Sequence, residues 1–376
     1  MCRFISFLIS LGFALSFNQV NAHSGNIFPI RATHIELQKE KIQIRYVQGK
    51  GYLIEVFYEF FNPGKTTVIE FGFKEDIPHY DCESVYDTSK INIRNLQMQI
   101  NNTSLQHKIT LVDEEVLDKK SRIRPVQVKQ KNNRPHGYLL YLYHTKAKFK
   151  TGINTLHTSY YFFRQLYDYT FFGWNFDFYS FRGWKNQYVK DFEIQFEPAT
   201  FSRFEIYRNF FNDSKDWILN GSVFAKDSTY YKWYEESDAW KSEFPPASLT
   251  EFMVRQGSIQ FRKQNFLLDK NLVVISKEEC QMGIYDGSWD YRLNGLNFEQ
   301  LLTNYNDSFF VKDSTSLSIL QNFPYARRGY IFKDQLIQTY YEKLDWYIPD
   351  SAYFPNETDL TPEEKEWLKT LILIRE

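Results

Sequence analysis

Polar and apolar residues alternate along most of the first three-quarters of the chain. From about residue 35 to residue 275 the dominant period is two, which is typical of strands whose alternate side chains face a core. The run from Tyr52 to Phe61 is the clearest example. One of its faces would carry Tyr52, Ile54, Val56, Tyr58 and Phe60, and the other Leu53, Glu55, Phe57, Glu59 and Phe61. This pattern predicts a strand.

Turn residues between neighbouring runs predict hairpins. Asn62-Pro63-Gly64 separates the first strand from a second alternating run at Thr67 to Phe73. By the same reasoning we expect residues 96–100 to pair with 105–111, and residues 138–149 to pair with 153–163. Further short strands at 192–196, 252–261 and 272–275 bring the expected number to roughly ten. The pattern favours an antiparallel sandwich, of the immunoglobulin-like or jelly-roll kind, over a βαβ fold.

The last 60 or so residues change to a helical period. Gly329 lies where a preceding helix would need a residue that tolerates the left-handed conformation. Thr361-Pro362-Glu363-Glu364 combines an N-cap hydroxyl, a proline at the first helical position and a glutamate at the third. The chain is therefore predicted to contain a β-rich domain at 23–277, a connector at 278–311 with one short helix near 298–303, and a helical module at 312–376. The apolar positions with helical spacing are Leu317, Leu320, Leu336, Tyr340 and Leu344.

The first 22 residues are predicted to be an export signal. Arg3 provides the positive charge, residues 4–17 the apolar stretch, and Val20-Asn21-Ala22 a cleavage site after Ala22. The apolar stretch is shorter than the roughly 20 residues that cross a bilayer as a helix. An uncleaved N-terminal anchor is the alternative. We expect the processed chain to be extracytoplasmic, in the periplasm, at the cell surface or secreted, and not to span the membrane.

Charge and cysteine content narrow the function only slightly. The 45 basic and 46 acidic residues give a formal charge of −1, which disfavours nucleic acid as a partner. Aromatic residues make up 19% of the chain, so an ordered core is expected. Without the signal, Cys82 and Cys280 are the remaining cysteines. They would form either one disulfide or two separate buried thiols.

One C-terminal motif resembles a known family. Residues 322–333 read Asn-Phe-Pro-Tyr-Ala-Arg-Arg-Gly-Tyr-Ile-Phe-Lys, and Tyr340-Tyr341 and Trp346-Tyr347-Ile348-Pro349 follow. Together with the helix start at Thr361, these pieces resemble the YARHG domain over about residues 312–376. The signature histidine is replaced by Arg328. The resemblance implies a bacterial extracytoplasmic protein in which the module is appended to another domain, and it carries over no catalytic residue. The β-rich part is loosely similar to bacterial secreted proteins through Trp184-Lys185-Asn186 and the strand that follows.

The sequence contains no recognisable catalytic, phosphate-binding or metal-binding motif. All seven histidines precede residue 158, and the predicted 138–163 hairpin could place His144 opposite His157. A metal site would need further ligands at defined spacing, and neither His-Glu-x-x-His nor Cys-x-x-Cys occurs. We therefore assign no catalytic residue, no metal ligand and no cofactor.

Two groups of residues remain as candidates for ligand binding. Residues 160–184 contain 14 aromatic side chains, which either form a stacking platform for sugars that includes Trp174 and Trp184 or belong to a thick core. Arg327 and Arg328 either recognise an anion or stabilise the small module. The partners considered are a cell-wall polymer, a glycan or an envelope protein. The sequence favours a non-enzymatic binding or scaffolding protein of the cell envelope, and the alternative is a secreted carbohydrate-active or other hydrolytic enzyme.

Overall fold

The protein is a mainly β structure followed by a small group of helices. The computed structural model describes residues 22–25, 27–79, 92–117, 123–125, 137–162, 173–177, 183–186, 188–207, 217–229, 248–267, 272–276, 314–344 and 346–373. These residues form 17 strands in two sheets and three α-helices, which confirms the predicted fold class. Residues 1–21, the predicted connector with its short helix, and both Cys82 and Cys280 lie outside the described residues.

The strands are longer and more numerous than the alternation alone predicts. Their bounds are β1 (Ala22–Gly25), β2 (Phe28–Pro29), β3 (Glu36–Val47), β4 (Gly51–Asn62), β5 (Thr67–His79), β6 (Ile93–Ile100), β7 (Thr103–Ser104), β8 (Lys108–Leu117), β9 (Ile123–Pro125), β10 (Gly137–Phe149), β11 (Gly152–Phe162), β12 (Gly173–Asp177), β13 (Val189–Glu197), β14 (Ser202–Tyr207), β15 (Ile218–Thr229), β16 (Ser248–Phe266) and β17 (Leu272–Ser276). Several of the additional strands, such as β2 and β7, are only two residues long.

The strands form a larger and a smaller sheet that share one core. The larger sheet has twelve strands in the order β1-β12-β17-β14-β16-β13-β3-β4-β11-β6-β7, with β15 also paired to β16. The smaller sheet has the order β2-β5-β10-β8-β9. Pairing is antiparallel except between β1 and β12 and between β3 and β13. Phe73 of the smaller sheet stacks on Tyr160 of the larger one, with ring centroids 5.7 Å apart, so the two inner faces pack directly together.

The three predicted hairpins are wrong, because each connection crosses from one sheet to the other. β4 lies in the larger sheet and β5 in the smaller one, and the same holds for β6 and β8 and for β11 and β10. The neighbouring order β4-β11-β6 in one sheet repeats as β5-β10-β8 in the other. The connections are therefore arches that lie side by side along one edge of the sandwich. As a result, Phe60 of β4 meets Phe149 of β10 across the core at 5.6 Å.

Asn62 joins two of these arches. Its side chain is fully buried and donates hydrogen bonds to the carbonyl oxygens of Lys65 (3.1 Å) and Phe149 (3.2 Å). A hairpin and an arch both need turn residues between two alternating runs, so the local sequence pattern is the same for each. Only contacts across the core, which involve residues far apart in the chain, distinguish them.

The helical module has its own core. It consists of α1 (Ser314–Arg327), α2 (Gln335–Glu342), a 3₁₀ turn (Glu357–Asp359) and α3 (Pro362–Leu373). The hydroxyl of Thr361 accepts a hydrogen bond from the Glu364 N–H (3.2 Å), and the Glu364 carboxylate accepts one from the Thr361 N–H (2.9 Å), which confirms the predicted helix start. Gly329 has φ +86°, as its place after α1 predicts. None of the helices in the described ranges has the length and apolar character needed to cross a membrane.

Candidate functional site

The two signature arginines converge on one buried carboxylate. The η nitrogens of Arg328 lie 2.8 and 2.7 Å from the two carboxylate oxygens of Glu364, and an η nitrogen of Arg327 lies 3.5 Å from the same group. Arg328 also donates to the carbonyl oxygens of Pro324 (2.7 Å) and Asp359 (2.6 Å). Glu364 is 0% exposed. Arg328 therefore links α1, the 3₁₀ turn and α3 within the module.

Glu364 combines two structural roles. It closes the N-terminus of α3 through Thr361, and it neutralises two guanidinium groups that are each about one-tenth exposed. A buried carboxylate of this kind needs both charge partners and hydrogen-bond donors. The sequence-based alternative in which Arg327 and Arg328 recognise an external anion would compete with this internal acceptor. The guanidinium groups of both arginines also lie over the ring of Phe201 in the β-rich part.

Trp184, the second tryptophan of the aromatic segment, lies in the core of the sandwich. Its side chain is 2% exposed, its indole N–H donates to the carbonyl oxygen of Ile27 (3.2 Å), and its ring packs 4.5 Å from that of Phe60. The backbone of Trp174 lies in β12, in register with Val274 of β17. Most of the segment between the two tryptophans falls outside the described residues.

The expectation that His144 and His157 face one another is wrong, because β10 and β11 belong to different sheets. His144 instead bridges three strands of the smaller sheet. Its Nδ1 lies 3.3 Å from Glu70 Oε1 and its Nε2 lies 3.0 Å from Thr110 Oγ1. An acid, a base and a hydroxyl in this order also occur in hydrolytic triads, which additionally need oxyanion donors. The neighbouring backbone of β10 is already paired with β5 and β8, so we interpret the array as a cross-strand bridge.

The outer face of the larger sheet carries two adjacent rows of side chains across six strands. Each row contains one residue from each of β16, β13, β3, β4, β11 and β6, in direct register. Strands lie about 4.8 Å apart, so each row extends about 24 Å. The aromatic row is Arg262, Glu193, Lys41, Phe57, His157 and Gln99, and the amide row is Gln260, Gln195, Gln43, Glu55, Ser159 and Gln97.

Phe57 and His157 lie side by side on this face, on the neighbouring strands β4 and β11. Their rings are parallel, with centroids 4.3 Å apart and an interplanar angle of 8°. Phe57 is 39% exposed, which is unusual for a phenylalanine in the middle of a sheet. Beside them, Glu193 lies 3.1 Å from Lys41 and 2.7 Å from Arg262, and Glu55 lies 3.7 Å from Nε2 of His157, so that the two rows contain two basic and two acidic side chains. The face is therefore polar, close to neutral, and interrupted by one exposed ring stack.

Two acids lie on the inner faces of the sandwich. Burial raises the pKa of Glu40 well above its usual value, and neither of its carboxyl oxygens has a hydrogen-bond partner among the described residues. Glu75 is also fully buried, but it accepts hydrogen bonds from the Tyr143 hydroxyl (2.6 Å) and the Asn92 N–H (2.7 Å). Burial outweighs these hydrogen bonds and raises the pKa of Glu75 to about 7.

Stability is expected to fall with rising pH because of Glu75. Its pKa in the folded state lies above the unfolded value of 4.5, so its favourable contribution is complete below pH 4.5 and is lost as the pH approaches about 7. The expected loss over this window is about 3 kcal/mol, since one pKa unit corresponds to about 1.4 kcal/mol. Urea unfolding at several pH values tests this. The difference between the wild-type chain and Glu75→Gln should change across the window, and a constant difference would contradict the prediction.

The burial of Glu40 and Glu75 can be predicted from their phase in the strand alternation, which a search for catalytic or metal-binding motifs does not consider. Glu40 precedes Ile42 and Ile44 at the inward period of β3, and Glu75 follows Phe71 and Phe73 at the inward period of β5. A charged residue in phase with the buried face of a strand is therefore a detectable exception. Within the described ranges, no group of three or more His, Cys, Asp or Glu side chains is arranged to hold a metal ion.

Comparison with known families identifies the C-terminal module. Residues 298–375 match the model of the YARHG domain, which confirms the resemblance. The matched range begins 14 residues before the predicted boundary at residue 312. The match covers about a fifth of the 376-residue chain. No curated protein matches the chain in sequence. The family relationship thus concerns the module and its signature arginines.

Two solved structures match the chain at low sequence identity and low TM-score. One is the crystal structure of a candidate nutrient binding protein from Legionella pneumophila, with 13% identity, a TM-score of 0.47 and coverage of 94% of this chain and 98% of that chain. The other is the crystal structure of baculovirus P35, with 11% identity, a TM-score of 0.25 and coverage of 66% of this chain and 98% of that chain.

Proposed function

We propose that this protein is an exported, non-enzymatic binding protein of the bacterial envelope that holds a neutral glycan on the outer face of its larger sheet. The observation that carries the proposal is the pair of adjacent rows, in which an exposed aromatic stack lies beside a row rich in amides. The match to the YARHG domain and the predicted export signal support an extracytoplasmic location.

The chemistry of this face suits a polyhydroxylated ligand. Glutamine side chains both donate and accept hydrogen bonds, as sugar hydroxyl groups require. An aromatic ring offers an apolar surface for the C–H face of a sugar. Because Arg262 and Lys41 are matched in number by Glu193 and Glu55, the two rows have no strong field to attract a highly charged polymer. A length of about 24 Å also fits several units of a polymer better than a single small molecule.

Phe57→Ala is expected to weaken glycan binding by about tenfold or more, equivalent to about 1.4 kcal/mol, because it removes the exposed ring while leaving the sheet intact. The assay is binding of the chain from residue 23 to a glycan array and to purified cell-wall polymers. Phe354→Ala is the matched control, since Phe354 is a 77% exposed phenylalanine in the helical module. Its affinity should equal that of the wild-type chain.

Two results would overturn the proposal. If Phe57→Ala and Phe354→Ala weaken glycan binding equally, or if neither weakens it, the ring stack on the larger sheet does not contact the glycan. Absence of binding to every polymer by the folded wild-type chain would reject a glycan ligand and favour an envelope protein as the partner. Thermal unfolding of each variant confirms that the compared proteins are folded.

A further inference from the structure

We propose that Arg327, Arg328 and Gly329 of the YARHG signature form a docking motif that fixes the helical module to the β-rich part of the same chain. The partner of the motif is a pair of side chains, Phe201 and Arg255. The inference concerns the interface between the two parts and does not depend on the nature of the ligand.

Phe201 has a backbone conformation that side chains with a β-carbon rarely adopt. It lies in the turn between β13 and β14 with φ +61°. The other non-glycine residues with positive φ in the described ranges are all asparagines, which tolerate this region: Asn95, Asn101, Asn102 and Asn265. A phenylalanine at such a position is an outlier, and outliers of this kind persist where the surrounding contacts hold them.

The contacts that hold Phe201 come from the module. The Cζ atoms of Arg327 and Arg328 lie 4.1 and 4.9 Å from the centroid of its ring, within the range of a cation–π interaction. Both guanidinium groups also form ion pairs with Glu364. Two guanidinium groups of the module therefore contact one aromatic ring, and that ring belongs to the residue with positive φ in the β13–β14 turn.

Arg255 makes the reciprocal contact. It lies in β16, donates hydrogen bonds to the carbonyl oxygen of Ile348 and to the carboxylate of Asp350 (3.3 Å), and packs over the ring of Phe224. A β-carbon at Gly329 would collide with its guanidinium group and with the backbone carbonyl oxygen of Ile348, and Gly329 also has positive φ. The glycine of the signature thus satisfies two requirements at once: the end of α1 and the close approach of Arg255 and of the Ile348 backbone.

Phe201 and Arg255 act as one unit on the β-rich side. The N–H of Phe201 donates to the carbonyl oxygen of Arg255 (3.2 Å), so the turn that carries the ring is tied to the strand that carries the guanidinium group. A further contact links the β3–β4 turn to the start of α3, where Gln48 donates to Glu363 (2.8 Å). The module consequently contacts the larger sheet at two turns, β13–β14 and β3–β4, which lie at the same end of the parallel strands β13 and β3.

Hydrogen exchange of the chain from residue 23 tests the docking. In Phe201→Gly and Arg255→Gln, the amides of residues 328–332, Ile348 and Asp350 should lose at least about tenfold in protection, while those of α2 change by less than about twofold. Phe201→Gly also relieves the positive φ, so the β-rich part should not unfold at a lower temperature. Asn101→Gly is the matched control, because it changes a positive-φ residue away from the module.

Unchanged protection at residues 328–332 in both variants would overturn the proposal. So would an equal loss of protection throughout α2 and α3, because the two side chains would then be needed for folding of the module rather than for its attachment. The same loss in Asn101→Gly would likewise reject a specific role for Phe201.

Discussion

Glu364→Ala is expected to lower the free energy of unfolding of the helical module by about 3–5 kcal/mol, the cost of removing one partner of a buried ion pair. The substitution leaves Arg327 and Arg328 without the carboxylate that neutralises them, and it removes the capping interaction with Thr361. Urea unfolding followed by the helical circular dichroism signal measures the change. For a module of this size the effect should be close to complete unfolding at room temperature.

Glu366→Ala provides the comparison on the same helix. Glu366 is 59% exposed at its side chain and pairs with Lys369 at the surface, an interaction of about 0–1 kcal/mol. Glu364→Gln should lie between the two, because it keeps the shape and one acceptor but loses the charge. Similar midpoints for Glu364→Ala and Glu366→Ala would show that the carboxylate does not hold the module together.

Trp184→Ala is expected to destabilise the β-rich part by about 3–5 kcal/mol, as is typical when a buried tryptophan is truncated. The ring fills the space next to Phe60, and its N–H satisfies the carbonyl group of Ile27. Trp184→Phe should cost less, since it keeps much of the ring volume. Phe57→Ala, which removes a 39% exposed ring, should change stability by less than about 1 kcal/mol.

This comparison also separates the two interpretations of the aromatic segment. If Trp184 belongs only to the core, Trp184→Ala changes the urea midpoint and has no separate effect on ligand binding. A Trp184→Ala protein with an unchanged midpoint and lost glycan binding would instead support the stacking platform that the sequence suggested. Measuring both glycan binding and the urea midpoint for Phe57→Ala and Trp184→Ala therefore distinguishes a residue that contacts the glycan from one that stabilises the fold.

The local sequence pattern predicted most of the elements that the structure contains. Alternation from Tyr52 to Phe61 correctly separates the buried face, with Ile54, Val56 and Phe60, from the face that carries Glu55 and Phe57. The predicted turns are also in the right places. The predicted pairing of the strands that they connect is wrong, because an arch and a hairpin use the same residue types. Each of these successes depends on interactions within a few residues along the chain.

The candidate sites were less predictable than the fold. The alternation placed Phe57 on the polar face of its strand, but its position beside His157 depends on the pairing of β4 with β11. The sequence analysis does not name Glu40 and Glu75 as candidate residues, although both lie at positions of their strands where the alternation predicts buried side chains. The sequence motif identifies Arg327 and Arg328 as candidate binding residues. In the structure, both form ion pairs with Glu364 of the same module.

The sequence by itself determined the mainly β character of the first part, the helical module, its helix start at Thr361 and the left-handed Gly329, because hydrophobic period and capping are local properties. Tertiary structure alone decided which sheet each strand joins, the burial of Trp184 and the partner of Arg328. These features depend on contacts between residues far apart in the chain: the Trp184 hydrogen bond spans 157 positions and the Arg328 ion pair spans 36. No local pattern specifies such contacts, since they form only when the whole core is packed.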